Sequence, residues 1–289
     1  MFEQNKIGFL IAESPIHCGV GQDVGIIDQP IQRERYTNYP RIQGSEIKGV
    51  FRQYYKGDDI DAIFGPEKSG EEGGDFASAV SFSDARVLFY PVKSLKDVYV
   101  WITCKDVLEK FRRSLAMAGI NSIQVPDVEP VENEHIIVSD NSICIGNQVV
   151  LEEYLFNKQD IEPSSFDSII EAIVPKEDEY KYLKESLKKK ICIVSDDVFR
   201  DFVEMSTEVI TRIRIDKNTG VVQEGALWSE EYLPMDTILY FSLFVVKTRD
   251  KKQVIEAKNI VDKLTEMTSY IQIGGNETVG KGFVRINWL

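Results

Sequence analysis

The chain has 289 residues, 43% of them hydrophobic and 28% charged, with a formal net charge of −13, which is ordinary for a soluble globular protein. Its longest apolar run, Ile238–Val246, is far shorter than the ~20 residues of a membrane-spanning helix, and no signal peptide is expected. Four separated cysteines and two histidines argue against a structural zinc site and favour the reducing cytoplasm.

The first half of the chain begins with a predicted strand over Lys6–Ser14 and a long irregular stretch over Ile16–Gly44. Irregular segments of this length are usually functional or disordered. A helix is predicted to start at Ser45, a residue type favoured as an N-cap, because apolar residues then recur at spacings of three and four. Further predicted elements are a strand or hairpin over Ala77–Val92, a strand over Val98–Cys104 and a helix over Lys105–Gly119.

The second half begins with an acidic segment, Asn121–Tyr180, that shows no strong period and is predicted to be irregular with some helix. After it we predict a strand over ICIVS, a helix over DDVFRDFVEM and a hairpin over EVITRIRIDKNTGVVQEGALW. A buried strand over Ile238–Val246, a second helix over Val254–Met267 and a last strand over the C-terminal residues follow. The hairpin turn is placed at Asp216–Gly220. This order predicts an α+β fold, an antiparallel sheet with helices packed on it, of the ferredoxin-like type.

The charge is segregated along the chain. Residues 121–180 contain 14 acidic and 2 basic residues, so they carry −12 of the total of −13. Residues 29–52 contain five basic and two acidic residues. The net charge alone argues against a nucleic-acid partner. Because the charge is divided between a local basic patch and a separate acidic segment, this argument does not apply to the basic patch. The acidic segment itself is expected to repel phosphate.

A glycine-rich loop, GGNETVGKGF, precedes the last strand. Its glycines Gly274, Gly275 and Gly282 let the backbone approach a ligand and offer N–H groups to a phosphate, and Lys281 adds a positive charge. The loop is not a Walker motif, because Gly282 stands where a serine or threonine would hold magnesium. The alternative is a plain turn between strands.

The helix after Gly44 places Lys48 and Arg52 on one face, since they are four residues apart. Two cations on one face, together with the helix start at Ser45, can hold successive phosphates. The alternative is a solvated helix face.

Asp28 lies between the flexible loop and the basic residues. An unperturbed aspartate, with a pKa of ~3.9, is a weak general base, but it can orient a hydroxyl or hold one Mg²⁺ ion with phosphate oxygens and water. The alternative is a turn cap. His17 is a candidate acid–base partner or a structural histidine, and Glu230 and Glu231 are candidate additional carboxylates or solvent-facing residues.

Four stretches together resemble one family, the backbone RAMP subunits of type III-B CRISPR Cmr effector complexes (the fourth Cmr subunit). They are SPIHCGVGQDVGIIDQPIQRERYTNYPRIQGSEIKGVFR, FSDARVLFYPV, RIDKNTGVVQEGALWSEEYLP and IGGNETVGKGFVRI. The combination of IDQPIQRERYTNYP with GSEIKG and the terminal glycine loop is highly specific.

The resemblance implies an RRM-like, ferredoxin-like palm with an inserted thumb hairpin. On this basis residues 1–120 and 190–289 form the palm, and residues 121–189 form an acidic insertion on the outer face or against another subunit. It also implies a cytoplasmic helical filament of several copies, bound to guide RNA and other Cmr subunits, with no membrane partner.

The implied activity is divalent-metal-dependent cleavage of complementary target RNA at regular intervals. Asp28 is then the residue on which cleavage depends and the metal ligand, with His17 and Glu230 or Glu231 as helpers. The expected guide-binding residues are basic, glycine and helix-start positions, namely Arg33, Arg35, Ser45, Lys48, Arg52, Gly274, Gly275, Lys281 and Gly282.

Three alternatives remain open. The first is a binding-only scaffold for guide RNA, in which Asp28 is a turn cap. The second is a guide-processing RAMP ribonuclease that acts alone on precursor RNA. The third is a metabolic enzyme that binds a phosphate ligand with the terminal glycine loop.

Overall fold

The computed structural model of the chain describes residues 2–22, 25–67, 76–159 and 166–289. Its strands are β1 (Gln4–Ala12), β2 (Arg41–Ile42), β3 (Val80–Phe82), β4 (Ala85–Ser94), β5 (Val98–Cys104), β6 (His135–Val138), β7 (Gln148–Leu151), β8 (Tyr154–Lys158), β9 (Ile191–Val194), β10 (Glu208–Ile215), β11 (Val222–Tyr232), β12 (Ile238–Val245), β13 (Tyr270–Gln272) and β14 (Phe283–Trp288).

The α-helices are α1 (Gly44–Tyr54), α2 (Ile60–Phe64), α3 (Lys105–Met117), α4 (Asp167–Ile173), α5 (Lys181–Lys190), α6 (Asp196–Met205) and α7 (Ala257–Thr265), and short 3₁₀ turns lie at Asn141–Ile143, Asp178–Tyr180 and Glu277–Val279. The predicted mixed α/β content is therefore confirmed. The helix over DDVFRDFVEM has the predicted bounds, and its N-cap Ser195 accepts a hydrogen bond from the Val198 N–H.

The main sheet has the strand order β13-β14-β1-β12-β4-β5-β9-β6-β8-β7. At its centre, β1 pairs antiparallel with both β12 and β14, and β12 pairs antiparallel with β4. Every residue of β12 is buried, as the continuous apolar run predicts for a strand covered on both faces.

The sheet closes on itself in one part. β7 pairs with β8 and also contacts β4 at the pair Ser94–Leu151, so β4, β5, β9, β6, β8 and β7 form a closed ring of six strands. Three of these strands, β6, β7 and β8, come from the acidic segment. The prediction that this segment is irregular is therefore wrong, while the helix also predicted within it is present as α4. Its buried side chains belong to the same core as the rest of the chain.

The predicted hairpin is confirmed as a separate two-stranded sheet, β10–β11. Its turn is fixed by Asp216, whose carboxylate accepts hydrogen bonds from the N–H groups of Asn218 and Thr219. Most side chains of β10 are exposed. The far end of the hairpin therefore stands away from the core, while its base lies against the loop that contains Asp28.

Helix α1 begins one residue earlier than predicted, with Gln43 as the N-cap in place of Ser45. The Gly44 N–H donates to the Asp84 carboxylate at 2.9 Å, and the Gln43 N–H donates to the Gln32 side chain at 2.8 Å. Side chains from distant parts of the chain thus satisfy the helix start, which leaves Ser45 exposed within the first turn. In the part of the chain that the structure describes, no helix is long and apolar enough to cross a membrane.

Candidate functional site

Asp28 is exposed and is held by a single residue of β11, Ser229. The Ser229 N–H and hydroxyl both donate to Asp28 Oδ2, at 2.8 and 2.9 Å, and the Asp28 N–H donates to Ser229 Oγ at 3.0 Å. The backbone N–H of Ser229, and after it the hydroxyl, lowers the pKa of Asp28. The carboxylate is therefore ionised at neutral pH. Both Ser229 donors contact the same carboxylate oxygen, Oδ2.

The backbone beside Asp28 is also bonded to β11. The Gln29 N–H donates to the Ser229 carbonyl, and the Glu231 N–H donates to the Gln29 carbonyl, each at 3.0 Å. Gln29 and Glu230 form a short parallel bridge. The loop thus adds to the edge of the hairpin like a short strand, so the position of Asp28 depends on the position of β11.

Glu231 is buried beneath this loop, where it binds three donors. Arg33 donates to its Oε1 at 2.5 Å, Thr207 donates to the same oxygen at 2.9 Å, and the Ile31 N–H donates to Oε2 at 2.9 Å. Only 3% of the Glu231 side chain and 14% of the Arg33 side chain are exposed. Glu231 therefore fastens the loop to the hairpin and does not face solvent.

Glu230 joins the hairpin to the terminal glycine loop. Its carboxylate accepts hydrogen bonds from Trp228 at 2.7 Å, from the Tyr232 hydroxyl and from Asn276 at 3.0 Å. Burial by itself would raise the pKa of Glu230, but the hydrogen bonds from Tyr232 and Trp228 outweigh it and lower the pKa. Glu230 is therefore a buried, ionised and fully bonded carboxylate.

His17 is buried below the same loop. Its Nδ1 donates to the Glu231 carbonyl at 2.7 Å, because a carbonyl oxygen can only accept, and its ring lies 5.3 Å from the Tyr232 ring. A Cβ added at Gly19 would lie 2.7 Å from His17 Nε2, so the second ring nitrogen faces backbone. Among the described residues, no hydrogen bond joins His17, Glu230 or Glu231 to Asp28.

The basic residues fall into two groups. Arg33 and Arg52 have internal partners: Arg33 binds Glu231 and two backbone carbonyls, and Arg52 binds Asp61 and the Gly65 carbonyl. Arg35 is exposed and Lys48 is half-buried, and within the described ranges neither has a hydrogen bond or an ion pair. Burial, followed by the charge of Arg52, lowers the pKa of Lys48. The predicted RNA contacts of all four stay predictions.

The terminal glycine loop packs directly on the residues around His17. A Cβ at Gly274 would lie 2.4 Å from the His17 carbonyl oxygen, and a Cβ at Gly282 would lie 2.0 Å from the Ile273 carbonyl oxygen. The Gly275 N–H donates to the His17 carbonyl at 2.8 Å. Close packing therefore explains these glycines without a phosphate. Lys281 lies 4.9 Å from the centre of the Tyr232 ring, in a cation–π contact.

An open cleft of about 450 Å³ lies between the Asp28 loop and the hairpin. Its described lining is Gln22, Asp28, Gln29, Arg214, Gly225, Ala226, Leu227 and Trp228. Asp28 and Arg214 are the charged residues in this lining. A cleft with one carboxylate, one guanidinium and an indole can hold a phosphate and a base side by side.

The described residues contain no group of three or more His, Cys, Asp or Glu side chains arranged to hold a metal ion. Asp28 offers one oxygen, Oδ1, that Ser229 does not bind. Mg²⁺ commonly takes one or two carboxylates and completes its shell with water and substrate phosphates. The site therefore fits a metal held jointly by Asp28 and RNA, and it does not fit a metal held by protein ligands alone.

Sequence reasoning did not identify the residues that position the site. Ser229 is 201 residues from Asp28, and no local pattern connects the two. Asn276 and Tyr232 bind Glu230, and Gln32 binds Glu46 and Gln43. A serine directly before EEYLP was the only available signal for Ser229.

The sequence model of the RAMP superfamily matches residues 9–285 of the chain. The "CRISPR system Cmr endoribonuclease Cmr4" of Pyrococcus furiosus is 41% identical over 282 residues, which are 94% of this chain and 92% of that protein. The "CRISPR system CMR subunit Cmr4" of Saccharolobus solfataricus is 26% identical over 303 residues, which cover 97% of this chain and 95% of that protein.

Solved structures with the same fold agree with these sequence matches. The crystal structure of oligomeric Cmr4 from Pyrococcus furiosus has a TM-score of 0.74 at 33% identity, covering 99% of this chain and 97% of that one. A cryo-EM structure of the type III-B Cmr-beta complex bound to cognate target RNA has a TM-score of 0.73 at 24% identity, covering 99% and 98%. This second match concerns the fold alone.

Proposed function

Because the chain belongs to the RAMP superfamily and, within it, to the Cmr4 family, we propose that it is a backbone subunit of a type III-B Cmr effector complex that cuts target RNA. In this proposal several copies stack along a guide RNA in the cytoplasm, together with other Cmr subunits. A relative that forms an oligomer and a relative named as a Cmr endoribonuclease support these partners. The described cysteines are free thiols, as a reducing compartment requires.

The proposed fold within this family is a ferredoxin-like palm with β10–β11 as its thumb. The order β14-β1-β12-β4 is antiparallel throughout, with α1 following β1 and α7 following β12. This is the arrangement of two interleaved β-α-β halves and supports the palm. The ring of six strands shares β4 with that palm, and half of its strands come from residues 121–189.

One observation carries the proposed activity: an exposed, ionised Asp28 anchored in the cleft between loop and hairpin. In RNA, a 2′-hydroxyl can attack the adjacent phosphorus, which breaks the bond to the 5′-oxygen of the next nucleotide and leaves a 2′,3′-cyclic phosphate. The protein then has to supply in-line geometry and charge stabilisation, and it needs no nucleophile of its own.

Asp28 is suited to orientation and charge rather than to general-base work. Its lowered pKa makes it a poor acceptor of the hydroxyl proton at neutral pH. We propose that Oδ1 orients the 2′-hydroxyl or holds Mg²⁺ together with RNA oxygens. When bound there, a metal ion would supply positive charge at the phosphate.

The other three candidate catalytic residues have positioning roles in this proposal. Glu231 and His17 hold the loop and β11 together, and Glu230 holds the hairpin against the terminal glycine loop. Arg35, Lys48 and Lys281 are the cations best placed to contact guide RNA, because Arg33 and Arg52 neutralise internal carboxylates.

The second candidate function is a scaffold that holds guide RNA and does not cut. The internal partners of His17, Glu230 and Glu231 favour it, since they leave Asp28 as the one exposed member of the predicted catalytic set.

The experiment that separates the two functions is target-RNA cleavage by the complex reconstituted with guide RNA and Mg²⁺. Wild type is compared with Asp28→Ala and with a control, Asp127→Ala, which removes another exposed carboxylate outside the cleft. We expect a regular ladder of products that Asp28→Ala and EDTA abolish while target binding is kept. If all three proteins bind target and none cuts, the chain is a scaffold.

A further inference from the structure

Two side chains of the hairpin have no role in the family resemblance: Arg214 lines the cleft, and Ser229 binds the Asp28 carboxylate that lines it. Ser229 makes three hydrogen bonds with Asp28, two of them through its hydroxyl. Because both donors contact Oδ2, the rotation of the carboxylate is fixed and Oδ1 is left unbound by Ser229. A residue that fixes a carboxylate in one orientation increases the fraction of molecules ready to react.

Arg214 lies on β10 and lines the cleft with Asp28. The other arginine of this strand, Arg212, lies 4.0 Å from the buried carboxylate of Glu230. Arg214 is exposed, and within the described part of the chain it forms no hydrogen bond or ion pair. A guanidinium without a protein partner can form two parallel hydrogen bonds to a phosphate.

We propose that the hairpin completes the cleavage site: Ser229 is the positioning residue that aims Asp28, and Arg214 binds the target-RNA phosphate that is cut. This inference rests on the proposed cleavage activity. It makes the hairpin a part of the reacting centre, because one of its strands sets the orientation of the carboxylate and the other supplies the positive charge.

The chemistry assigned to Arg214 follows from the charge balance of the reaction. As the bond from the 2′-oxygen to phosphorus forms and the bond to the 5′-oxygen breaks, negative charge increases on the non-bridging oxygens. The 2′-hydroxyl releases its proton to water and the departing 5′-oxygen takes one from water, so no other reactant is needed. A guanidinium already in place at those oxygens stabilises the transition state more than the ground state.

Ser229 is tested in the reconstituted complex with Ser229→Ala and Ser229→Thr. The alanine variant loses both hydroxyl bonds and keeps the backbone bond, so we expect single-turnover cleavage to fall on the order of 10-fold with target binding unchanged. The threonine variant keeps a hydroxyl and restores the rate.

The concentration dependence of the rate distinguishes positioning from a general structural effect. Ser229 contacts Asp28 and is not part of the described lining of the cleft, so in this proposal it acts on the cleavage step through Asp28 and not on target binding. We expect Ser229→Ala to lower the cleavage rate at saturating complex without changing the complex concentration that gives half of this rate, and Ser229→Thr to restore the rate. A changed half-saturating concentration with an unchanged maximal rate, or equal rates in all three proteins, overturns the role of Ser229.

Arg214 is tested with Arg214→Ala and Arg214→Lys. The matched control is Lys217→Ala, which removes one positive charge from the turn of the same hairpin, outside the cleft. We expect a loss on the order of 100-fold for alanine, comparable to the loss of one transition-state donor, and a partial recovery for lysine, which keeps the charge but not the paired geometry. If Arg214→Ala and Lys217→Ala lose equally little, the role of Arg214 is wrong.

Asp28→Asn, assayed in parallel, separates this inference from the proposal beneath it. If Asp28→Asn still cuts, the proposed site itself is wrong. If Asp28→Asn is inactive while Ser229→Ala and Arg214→Ala cut like wild type, the site stands and the contribution of the hairpin is wrong. If all three are impaired with target binding intact, both are supported.

Discussion

Glu231 and Arg33 form an ion pair of 2.5 Å between segments that are 198 residues apart in the chain, and both side chains are largely buried. The pair lies directly beneath the loop that contains Asp28. Glu231 also accepts the Ile31 N–H, so one carboxylate binds both a side chain and the backbone of the loop. The geometry of the exposed carboxylate therefore depends on a buried one.

We expect Glu231→Gln to lower the free energy of unfolding by about 3 kcal/mol, because it leaves the buried charge of Arg33 without its partner. Thermal or urea unfolding measures this. An exposed pair serves as the control: Asp197→Asn, which removes a partner of Arg200, is expected to cost less than about 1 kcal/mol. If Glu231→Gln is as stable as wild type but does not cleave RNA, Glu231 has a catalytic role and not a positioning one.

The stability of the protein should fall in acid partly because of Glu34. Burial raises the pKa of Glu34, but hydrogen bonds and charges from Thr37, Lys110 and Arg86 outweigh it, and the folded pKa lies below the ordinary value of 4.5. A group whose pKa is lowered on folding stabilises the protein above its unfolded pKa, and this contribution is lost as pH falls through the folded pKa.

Glu34→Gln should therefore be less stable than wild type at neutral pH, with the difference shrinking below about pH 4.5. Melting temperatures over this pH range measure the effect. Glu129→Gln, at an exposed glutamate, should follow the wild-type curve. A constant difference across the pH range would show that Glu34 stabilises the fold by packing alone.

Two glycines of the terminal loop have nearly the same positive φ and different surroundings. Gly282 (φ +80°) has the Ile273 carbonyl oxygen 2.0 Å from the position of an added Cβ, whereas Gly280 (φ +79°) has nothing within 4 Å. We expect Gly280→Ala to cost about 1–2 kcal/mol from its positive φ alone.

Gly282→Ala should cost about 1–3 kcal/mol more than Gly280→Ala, since the new methyl group would overlap backbone that cannot move aside easily. Urea unfolding of the two variants gives this difference directly. Equal costs would mean that the backbone near Ile273 adjusts, and the argument from close packing would then fail.

Lys48 and Arg52 share a face of α1, but their surroundings predict different effects on RNA binding. Lys48→Ala should weaken guide-RNA binding and reduce the slope of log affinity against log salt concentration by about 1, since one phosphate contact is lost. Arg52→Ala should leave that slope unchanged, because Arg52 already binds Asp61 and the Gly65 carbonyl. Filter binding across a range of salt concentrations measures both, and the reverse pattern would contradict this assignment.

Local patterns in the sequence were sufficient to predict the elements whose hydrogen bonds are local or whose residues are all buried. The helix Asp196–Met205, the turn of the β10–β11 hairpin and the buried strand β12 are all of this kind. The start of α1 was misplaced because its cap comes from Asp84, whose position depends on tertiary structure.

The acidic segment was misjudged for a similar reason. Its strands β6, β7 and β8 have only four or five residues each, too few for a clear alternation. β6 pairs parallel with β8 and antiparallel with β9, so its partners are not adjacent in the sequence. At the candidate site, sequence singled out Asp28, but the contacts of Ser229, Glu230 and Glu231 depend on how distant segments meet.

The central position of β1 has a consequence for how the protein is made. β1 spans Gln4–Ala12, yet both of its sheet neighbours, β12 and β14, lie after residue 237. During translation the first strand therefore waits, with both edges unpaired, until nearly the whole chain has left the ribosome. Sheets closed by such distant segments form slowly, and unpaired edges invite aggregation. We therefore expect the newly made chain to depend on chaperones that cover unpaired strand edges.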